Sequence, residues 1–317
     1  MAHAIRNYIL VAKPGIVFGN LITSAGGFFV AAKGRSHIAA PLFTLIGISL
    51  VVASGCVINN CADRNIDHKM IRTRDRVLAK GLMPAKAAVF YASILGIAGT
   101  LVLCAATNML TVAIVLAGFA IYAGGYSLVL KRHSIYAVMI GSLAGAAPPL
   151  AGYCAACGRF DMGAFILLSI FSLWQISHAY AIAIFRLDDY AAAEIPVLPI
   201  RVGVTVVKKH IIVHILAFLA ATMMLTFGGY AGYRYLAAAA ALGSVWLVMA
   251  LSGLKASDDR LWAKKMFIFS ILIIFVLSIM MSIDFTVPNA AEALLTVAIP
   301  PWHTAGTVLP FSPVSGF

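Results

Sequence analysis

The sequence predicts an all-α, polytopic membrane protein with nine transmembrane helices. Of its 317 residues, 62% are hydrophobic and only 11% are charged, whereas soluble globular proteins contain about 25% charged residues. The mean hydropathy is +0.98. Apolar runs of about 20 residues, the length that crosses a bilayer as a helix, recur along the chain. These observations exclude a soluble globular protein.

The predicted spans follow one another with short connections, of which the tightest lies at 107–110. Their limits are 13–32, 41–62, 87–107, 110–130, 135–156, 162–185, 210–230, 235–253 and 267–283. The first residues, MAHAIRNYILVAKPG, lack a small-residue cleavage site, so we expect no removable signal peptide.

The distribution of basic residues predicts the orientation. If the N-terminus is cytoplasmic, nineteen of the 23 Lys and Arg residues fall on the cytoplasmic side, and the C-terminus lies outside. The four outside are Lys33, Arg35, Arg159 and Arg234. The net charge of +12 therefore reflects membrane topology, and no nucleic-acid partner is expected. Most acidic residues lie on the same side. Because carboxylates contribute little to membrane orientation, this bias indicates polar chemistry at the cytoplasmic side.

The second span runs directly into a polar stretch, NNCADRNIDHKMIRTRDRVLAKG, over 59–81. If the helix continues, Asn59, Asp63 and Asp67 lie on one face, at i, i+4 and i+8. Amide and carboxylate oxygens in this pattern suit Mg²⁺ that shares its ligands with substrate phosphates. Basic residues that bind diphosphate oxygens follow at once. A charged loop that merely obeys the positive-inside rule is the alternative.

The middle spans carry aromatic and small residues. Tyr122 and Tyr126 lie one turn apart before the short basic loop KRHS, and GSLAGAAPPLAG follows over 141–152. This second stretch favours close helix packing through small residues, with a broken helix that opens a cavity as the alternative. Cys154 and Cys157 form a CxxC without a second pair, which favours ordinary core cysteines over a disulfide or metal site.

The sixth span places polar groups inside an apolar helix, which is costly unless they face a cavity or each other. They include Trp174 and His178, and a structural histidine is the alternative to a ligand. Asp188, Asp189 and Glu194 follow at the cytoplasmic end. Two acidic clusters on one side predict that carboxylates converge on one or two metal ions and a diphosphate. Farther on, 256–265 is expected to be a solvated loop, and 289–317 a proline-containing tail without an assigned function.

This chemistry favours prenyl transfer. Metal ions and basic side chains polarise the diphosphate, so that the allylic C–O bond ionises. Aromatic faces, with Tyr126 and Trp174 as candidates, stabilise the resulting cation by about 0.5–2 kcal/mol per contact. The apolar bundle holds the isoprenoid tail and excludes water. The acceptor is not named by spacing alone.

Five motifs over about 7–288 make the chain resemble the UbiA-type intramembrane prenyltransferases, and within them the members that farnesylate haem B. They are AKPGIVFGNLI, ASGCVINNCADRNIDHKMIRTRDRVLAKG, YSLVLKRHSIYAVMIGSLAGAAPPLAGY, WQISHAYAIAIFR and DDYAAAEIPVLP. The resemblance implies a UbiA-type bundle over 1–288. It also implies a bacterial inner membrane, Mg²⁺, farnesyl diphosphate and haem B as substrates, and proteins of haem A synthesis or terminal-oxidase assembly as partners.

The resemblance also carries roles onto individual residues. It implies Mg²⁺ ligation by Asn59, Asp63, Asp67 and Asp189 and catalytic roles for these three aspartates, and we expect Tyr126 to join them through its aromatic face. It implies substrate binding by Asn20, Asn59, Arg72, Arg76, Lys80, Lys131, Arg132 and His178, with His178 on the haem side. Asn60 and Trp174 are further expected substrate contacts. Lys13, like Asn20, matches the family's first-helix motif. The second acidic element departs from the usual DxxxD, because Glu194 stands five residues after Asp189.

Three other functions remain open at this point. A transporter also places acidic residues and broken helices in the membrane, although here the charges cluster at one face. A non-catalytic assembly protein or haem chaperone would keep its function when both acidic clusters are neutralised by mutation. A quinone-type or chlorophyll prenyltransferase would share the metal and diphosphate chemistry.

Overall fold

In the computed structural model, residues 2–286 are described, and they form helices joined by short connections. In chain order these are α1 (Ala2–Val11), α2 (Pro14–Ala32), α3 (Ala39–Asp67), α4 (Ala85–Ala106), α5 (Met109–Phe119), a π-helix (Ala120–Leu130), α6 (Lys131–His133), α7 (Ala137–Cys157), α8 (Met162–Phe185), α9 (Leu187–Ala192), α10 (Leu198–Val202), α11 (Val204–Phe227), α12 (Tyr233–Ser252), a 3-10 turn (Gly253–Lys255) and α13 (Asp259–Ile283). The predicted tail, 289–317, lies outside the described residues.

Nine helical segments in this described part are long and apolar enough to cross a membrane, which confirms the predicted all-α, nine-span class. One of them is continuous from α5 to α6, Met109–His133, and another joins α12 to the 3-10 turn, Tyr233–Lys255. The predicted limits 162–185 agree with α8. Among the other helices, α3, α11 and α13 run several residues longer than their apolar runs, because amphipathic ends continue the helix beyond the hydrocarbon region.

The prediction of a solvated loop over 256–265 is wrong, since α13 begins at Asp259. The Asp258 carboxylate caps this helix by accepting a hydrogen bond from the Leu261 amide at 2.9 Å. Trp262 is buried and donates from Nε1 to the Met249 carbonyl at 2.8 Å. On the same turn, Asp259 accepts from buried Lys208 at 2.5 Å. These tertiary contacts stabilise the first turns of α13.

The small residues of α7 pack closely against α2. A Cβ atom added at Gly27 would lie 2.1 Å from the Pro149 carbonyl oxygen, and one added at Gly152 would lie 2.2 Å from the Ser24 carbonyl oxygen. The helix is continuous through Pro148 and Pro149. The packing interpretation of 141–152 is therefore confirmed, and the broken helix is not found.

The cysteines of the CxxC are ordinary packing residues. All five cysteines are free, and Cys154 is buried in the main core. Its backbone carbonyl accepts a hydrogen bond from Asn108 Nδ2 at 2.8 Å, which fixes the tight turn between α4 and α5 against α7.

The connection from α3 to α4, residues 68–84, folds back as a series of turns over the polar end of the bundle. Its Met70 is buried against Ala193 and Ile195, which follow α9. The segment after α8 therefore holds this connection in place, and both border the cavity described next.

Candidate active site

A cavity of about 620 Å³ lies inside the bundle. Its walls are mostly apolar and come from α2, α3, the α5–α6 span, α7, α8 and α13. At one end, side chains with opposite charges meet. The charged and amide residues at this polar end are Asn59, Asp63, Asp67, Arg72, Arg76 and Lys131. A long apolar cavity with a charged mouth suits an amphiphile with an anionic head and a hydrocarbon tail.

The acidic face predicted on α3 lies along this cavity. Asn59, Asp63 and Asp67 are 4%, 1% and 1% exposed, and all three line the wall. Continuation of α3 as a regular helix to Asp67 stacks them on successive turns. Buried carboxylates require positive partners or a metal ion, and the surrounding structure supplies the former.

Two basic side chains neutralise the two carboxylates. Lys131 Nζ donates to Asp63 Oδ2 at 2.6 Å, and Arg76 Nη1 donates to Asp67 Oδ2 at 3.0 Å. The second oxygen of Asp63, Oδ1, is buried without a hydrogen-bond partner in the described part of the chain. Because an unpaired buried carboxylate oxygen is costly, this atom is a natural cation ligand at the cavity wall.

The five predicted basic contacts divide into two groups. Arg72 lines the mouth together with Arg76 and Lys131. Lys80 instead pairs with exposed Asp75 at 2.8 Å, and this hydrogen bond lowers the pKa of the Asp75 carboxyl. Arg132 is exposed and donates to the Ala62 carbonyl. The structure therefore brings three of the five basic residues to the cavity and leaves two on its outer surface.

Asn60 is directed away from the cavity. Its Nδ2 donates to the Val11 carbonyl at 2.7 Å, at the end of α1. The neighbouring Lys13, which starts α2 with a left-handed backbone (φ 54°), donates to Asn59 Oδ1. A non-glycine residue in this conformation is strained and persists only where its surroundings hold it. The Asn60 contact helps to hold the turn that directs Lys13 toward Asn59.

The second acidic segment contacts the 68–84 connection. Asp189 is buried, accepts from the Ile71 backbone amide at 2.9 Å and lies 3.9 Å from Arg186. Glu194 pairs with Lys69 at 3.2 Å. Among the described residues, no three His, Cys, Asp or Glu side chains come close enough to hold one ion, so Asp189 is not part of a cluster with Asp63 and Asp67.

The next residue, Tyr190, lines the cavity. Burial raises the pKa of its hydroxyl, which therefore stays protonated. Tyr190 is not among the site residues that the sequence predicts. The only available signal was its position directly after the predicted ligand Asp189.

Aromatic residues line the cavity beyond the charged mouth. The rings of Tyr122 and Tyr126 are stacked, with centroids 6.3 Å apart and planes inclined by 10°. On α8, Trp174 stacks on His178 with centroids 4.9 Å apart. Asn20 on α2 also lines the wall and donates to the Ile16 carbonyl at 2.9 Å. The structure thus brings all four predicted residues, Asn20, Tyr126, Trp174 and His178, to one cavity.

The hydrogen bonds of Ser270 determine the tautomer of His178. Ser270 Oγ donates its only hydrogen to the Phe267 carbonyl at 2.6 Å, and it lies 2.7 Å from His178 Nδ1. His178 Nδ1 must therefore be the donor, which leaves a lone pair on Nε2. The neighbouring Trp174 Nε1 donates to the Ser270 carbonyl at 2.8 Å. His178 lines the cavity, so its ring combines a structural contact with a free basic nitrogen.

Comparison with known proteins identifies the family. The sequence pattern of the UbiA prenyltransferase family matches residues 20–274. A protoheme IX farnesyltransferase of Yersinia enterocolitica is 58% identical over 293 residues, which cover 92% of this chain and 99% of the relative. The protein of the same name from Photorhabdus laumondii is 60% identical over 294 residues, with the same coverage.

Solved structures show the same fold at low sequence identity. A digeranylgeranylglyceryl phosphate synthase structure superposes with a TM-score of 0.72 at 18% identity, covering 88% of this chain and 98% of its own. A UbiA homologue from Archaeoglobus fulgidus bound to GPP and Mg²⁺ has a TM-score of 0.59 at 13% identity, covering 87% and 99%. The chain belongs to the UbiA prenyltransferase family.

Proposed function

We propose that this protein transfers the farnesyl group of farnesyl diphosphate to a vinyl side chain of haem B, giving haem O. The observation that carries the proposal is the cavity, in which buried carboxylates and cations at one end meet an apolar, aromatic interior. Relatives named protoheme IX farnesyltransferase, 58% and 60% identical over 92% of this chain, support the choice of donor and acceptor.

Asn59, Asp63 and Asp67 would hold Mg²⁺. The donor set fits, because Asp63 Oδ1 is a buried, unpaired carboxylate oxygen and Asp67 lies one turn farther along the same wall. Oxygen ligands of this kind suit Mg²⁺, and one or two carboxylates suffice when substrate phosphates complete the shell. When bound, the ion supplies Lewis-acid polarisation of the diphosphate oxygens. A UbiA homologue with GPP and Mg²⁺ bound supports this assignment.

Basic side chains at the mouth would bind the diphosphate. Arg72, Arg76 and Lys131 line the polar end, and Arg76 and Lys131 already lie against the two carboxylates. They neutralise negative charge that develops as the C–O bond breaks and the diphosphate departs with the electron pair. Asp189 has an indirect part in this proposal, since it accepts from the Ile71 amide and so positions the neighbouring Arg72.

The apolar interior would hold the farnesyl chain and its cation. The stacked Tyr122 and Tyr126 and the face of Trp174 line the route from the mouth inward. Aromatic faces stabilise a cation by about 0.5–2 kcal/mol per contact. C1 of the farnesyl group then bonds to the terminal vinyl carbon. Water captures the cation left on the adjacent carbon and releases a proton, which gives the hydroxyethylfarnesyl side chain.

We assign His178 to the haem side of the cavity. Its Nδ1 is committed to Ser270, so the free lone pair on Nε2 is available to the acceptor. Trp174, stacked on the same ring, offers a planar apolar surface next to it. A macrocycle with an apolar face and a metal centre matches this pair of groups.

The same proposal includes location and partners. The nine predicted spans and the nineteen basic residues on one side support a location in a bacterial inner membrane, and in this proposal the N-terminus and the active site are cytoplasmic. Haem O would pass to proteins that synthesise haem A or assemble terminal oxidases. The lipid bilayer surrounds the apolar outer surface of the helices.

The test incubates membranes containing the protein with haem B, farnesyl diphosphate and Mg²⁺. We expect hydroxyethylfarnesyl haem by mass spectrometry, its loss with EDTA, and its loss in Asp67→Ala. Prenylation of an added quinone in place of haem would show that haem B is not the acceptor. Ion flux that is abolished by Asp63→Asn, without turnover of any prenyl diphosphate, would indicate a transporter. Full function after neutralisation of both acidic segments would indicate an assembly protein.

A further inference from the structure

The π-helix between α5 and α6 positions a serine beside the α3 ligands. In this segment, Ala120–Leu130, Ser127 Oγ donates to the carbonyl of Tyr122, five residues earlier, at 2.7 Å. The backbone amide of Lys131 likewise bonds to the Tyr126 carbonyl. In an α-helix, residues five apart are turned by about 140° from each other. The i→i+5 pattern of a π-helix is what brings the Ser127 hydroxyl over the Tyr122 carbonyl.

This contact leaves Ser127 Oγ able only to accept. A serine hydroxyl has one hydrogen, and the Tyr122 carbonyl takes it. The oxygen then accepts from Asn59 Nδ2 at 2.9 Å, and both residues are buried. The same Nδ2 donates its other hydrogen to Asp63 Oδ2 at 3.1 Å.

The amide of Asn59 therefore has one favourable orientation. If it were flipped, Oδ1 would face two acceptors, the Ser127 oxygen and the Asp63 carboxylate, and two buried N–H groups would lose their partners. In the observed orientation Oδ1 faces the Lys13 ammonium, a positive group. The carbonyl oxygen of Asn59 is thus directed to a position where positive charge is favourable.

We propose that Ser127 is a positioning residue that fixes the amide of Asn59, so that Oδ1 is presented as a ligand to the divalent cation of the active site. This inference rests on the proposed function, because it concerns the same metal. The hydrogen bond from Asn59 Nδ2 to Ser127 Oγ connects a proposed metal ligand on α3 to the neighbouring π-helix. Loss of such a bond typically weakens metal binding about 10- to 100-fold.

The experiment compares Ser127→Ala with the matched control Ser54→Ala in the full-length, purified protein. Ser54 is also a buried helical serine whose hydroxyl donates to a backbone carbonyl at 2.7 Å, but its partner is Ala92, away from the cavity. Mn²⁺ binding is measured by electron paramagnetic resonance in the presence of farnesyl thiodiphosphate. The Mg²⁺ concentration for half-maximal transfer is measured separately.

We expect Ser127→Ala to weaken Mn²⁺ binding about tenfold, because Asp63 still holds one amide hydrogen. Ser54→Ala should bind as the wild type does, and Ser127→Thr, which keeps the hydroxyl, should restore binding. In an Asn59→Asp background, Ser127→Ala should have no further effect on Mn²⁺, since a carboxylate has two equivalent oxygens. Wild-type Mn²⁺ affinity in Ser127→Ala, or an equal loss in both backgrounds, would overturn the inference.

The outcome for the proposed function is separate. Absence of farnesyl transfer in the wild type rejects that function, whatever the Mn²⁺ titration shows. An active wild type with an unaffected Ser127→Ala rejects only the role of Ser127. A variant that is merely less stable is recognised by thermal unfolding, because it would lower the midpoint, as we expect of Ser54→Ala, without changing the affinity for Mn²⁺.

Discussion

Lys131 Nζ lies 2.6 Å from Asp63 Oδ2, and this ion pair joins the π-helical span to the polar end of α3. The Asp63 side chain is 1% exposed and the Lys131 side chain 14% exposed, so both charges are largely removed from water. The pair links a proposed metal ligand to a proposed diphosphate contact. In the proposed reaction, Asp63 would therefore contact both Lys131 and the metal ion, and Lys131 would contact both Asp63 and the diphosphate.

Replacement of Lys131 by Met should leave Asp63 as a buried, unpaired charge. Breaking one side of a buried pair costs about 3–5 kcal/mol, so the thermal midpoint in EDTA should fall by several degrees. Added Mg²⁺ and farnesyl thiodiphosphate should recover part of this loss, because they return positive charge to Asp63. Differential scanning fluorimetry in both conditions measures the difference. The exposed pair Lys80–Asp75 provides the control, since Lys80→Met should change the midpoint little.

Replacement of Asp63 by Asn should reduce farnesyl transfer about 10²- to 10³-fold, as expected when a group that stabilises developing charge is removed. The change keeps the size and removes the carboxylate. Product formation by mass spectrometry at saturating haem B measures the loss. Asp188→Asn is the matched control, because its side chain is 90% exposed and its nearest basic partner is Arg260 at 3.7 Å. Equal activity of the two variants would show that the Asp63 carboxylate is not needed for farnesyl transfer.

Replacement of Asp189 tests whether this residue is a direct metal ligand or positions the 68–84 connection. It accepts from the Ile71 amide at 2.9 Å, and a hydrogen bond to a charged group contributes about 1.5–3 kcal/mol. Asp189→Ala should therefore raise the KM for farnesyl diphosphate about tenfold or more through displacement of Arg72. The Mg²⁺ concentration for half-maximal rate should stay the same. A large increase in that concentration would instead make Asp189 a ligand.

Replacement of His178 by Ala should weaken binding of haem B while leaving farnesyl diphosphate binding unchanged. The expected result follows from the position of Nε2, which is free because Nδ1 is committed to Ser270. Titration of haem B, followed by the shift of its Soret absorption, measures the first quantity, and competition with farnesyl thiodiphosphate measures the second. His210→Ala is a control on an exposed surface of α11. Identical Soret titrations for His178→Ala and wild type would place haem elsewhere.

The transmembrane architecture and one wall of the site were predictable from local sequence. Hydropathy over about 20 residues locates spans because the hydrocarbon layer has a fixed thickness, and the nine predicted spans are confirmed. Helical periodicity placed Asn59, Asp63 and Asp67 on one face, and they share a cavity wall. Both properties depend on residues that are close in the chain.

Which polar groups reach that cavity depends on the packing of segments that are distant in the chain. Asn60 is adjacent to Asn59 yet bonds to Val11, and Asp189 bonds to the connection that follows α3. The start of α13 at Asp259 depends on Lys208. The π-helical register at Ser127 likewise has no signature in the sequence, because its hydrogen bonds compete with an ordinary α-helix and are stabilised by a residue 68 positions away.

A nine-span helical bundle with an acidic face on α3 and basic residues nearby follows from local sequence alone. Only the folded chain determined that Arg76 and Lys131 meet those carboxylates, whereas Lys80 and Arg132 remain outside. The difference lies in how far apart in the chain the interacting residues are. Span length and helical face follow from the bilayer and from the 3.6-residue turn, while the partner of each buried charge depends on loops and a helix register that form only when distant segments pack together.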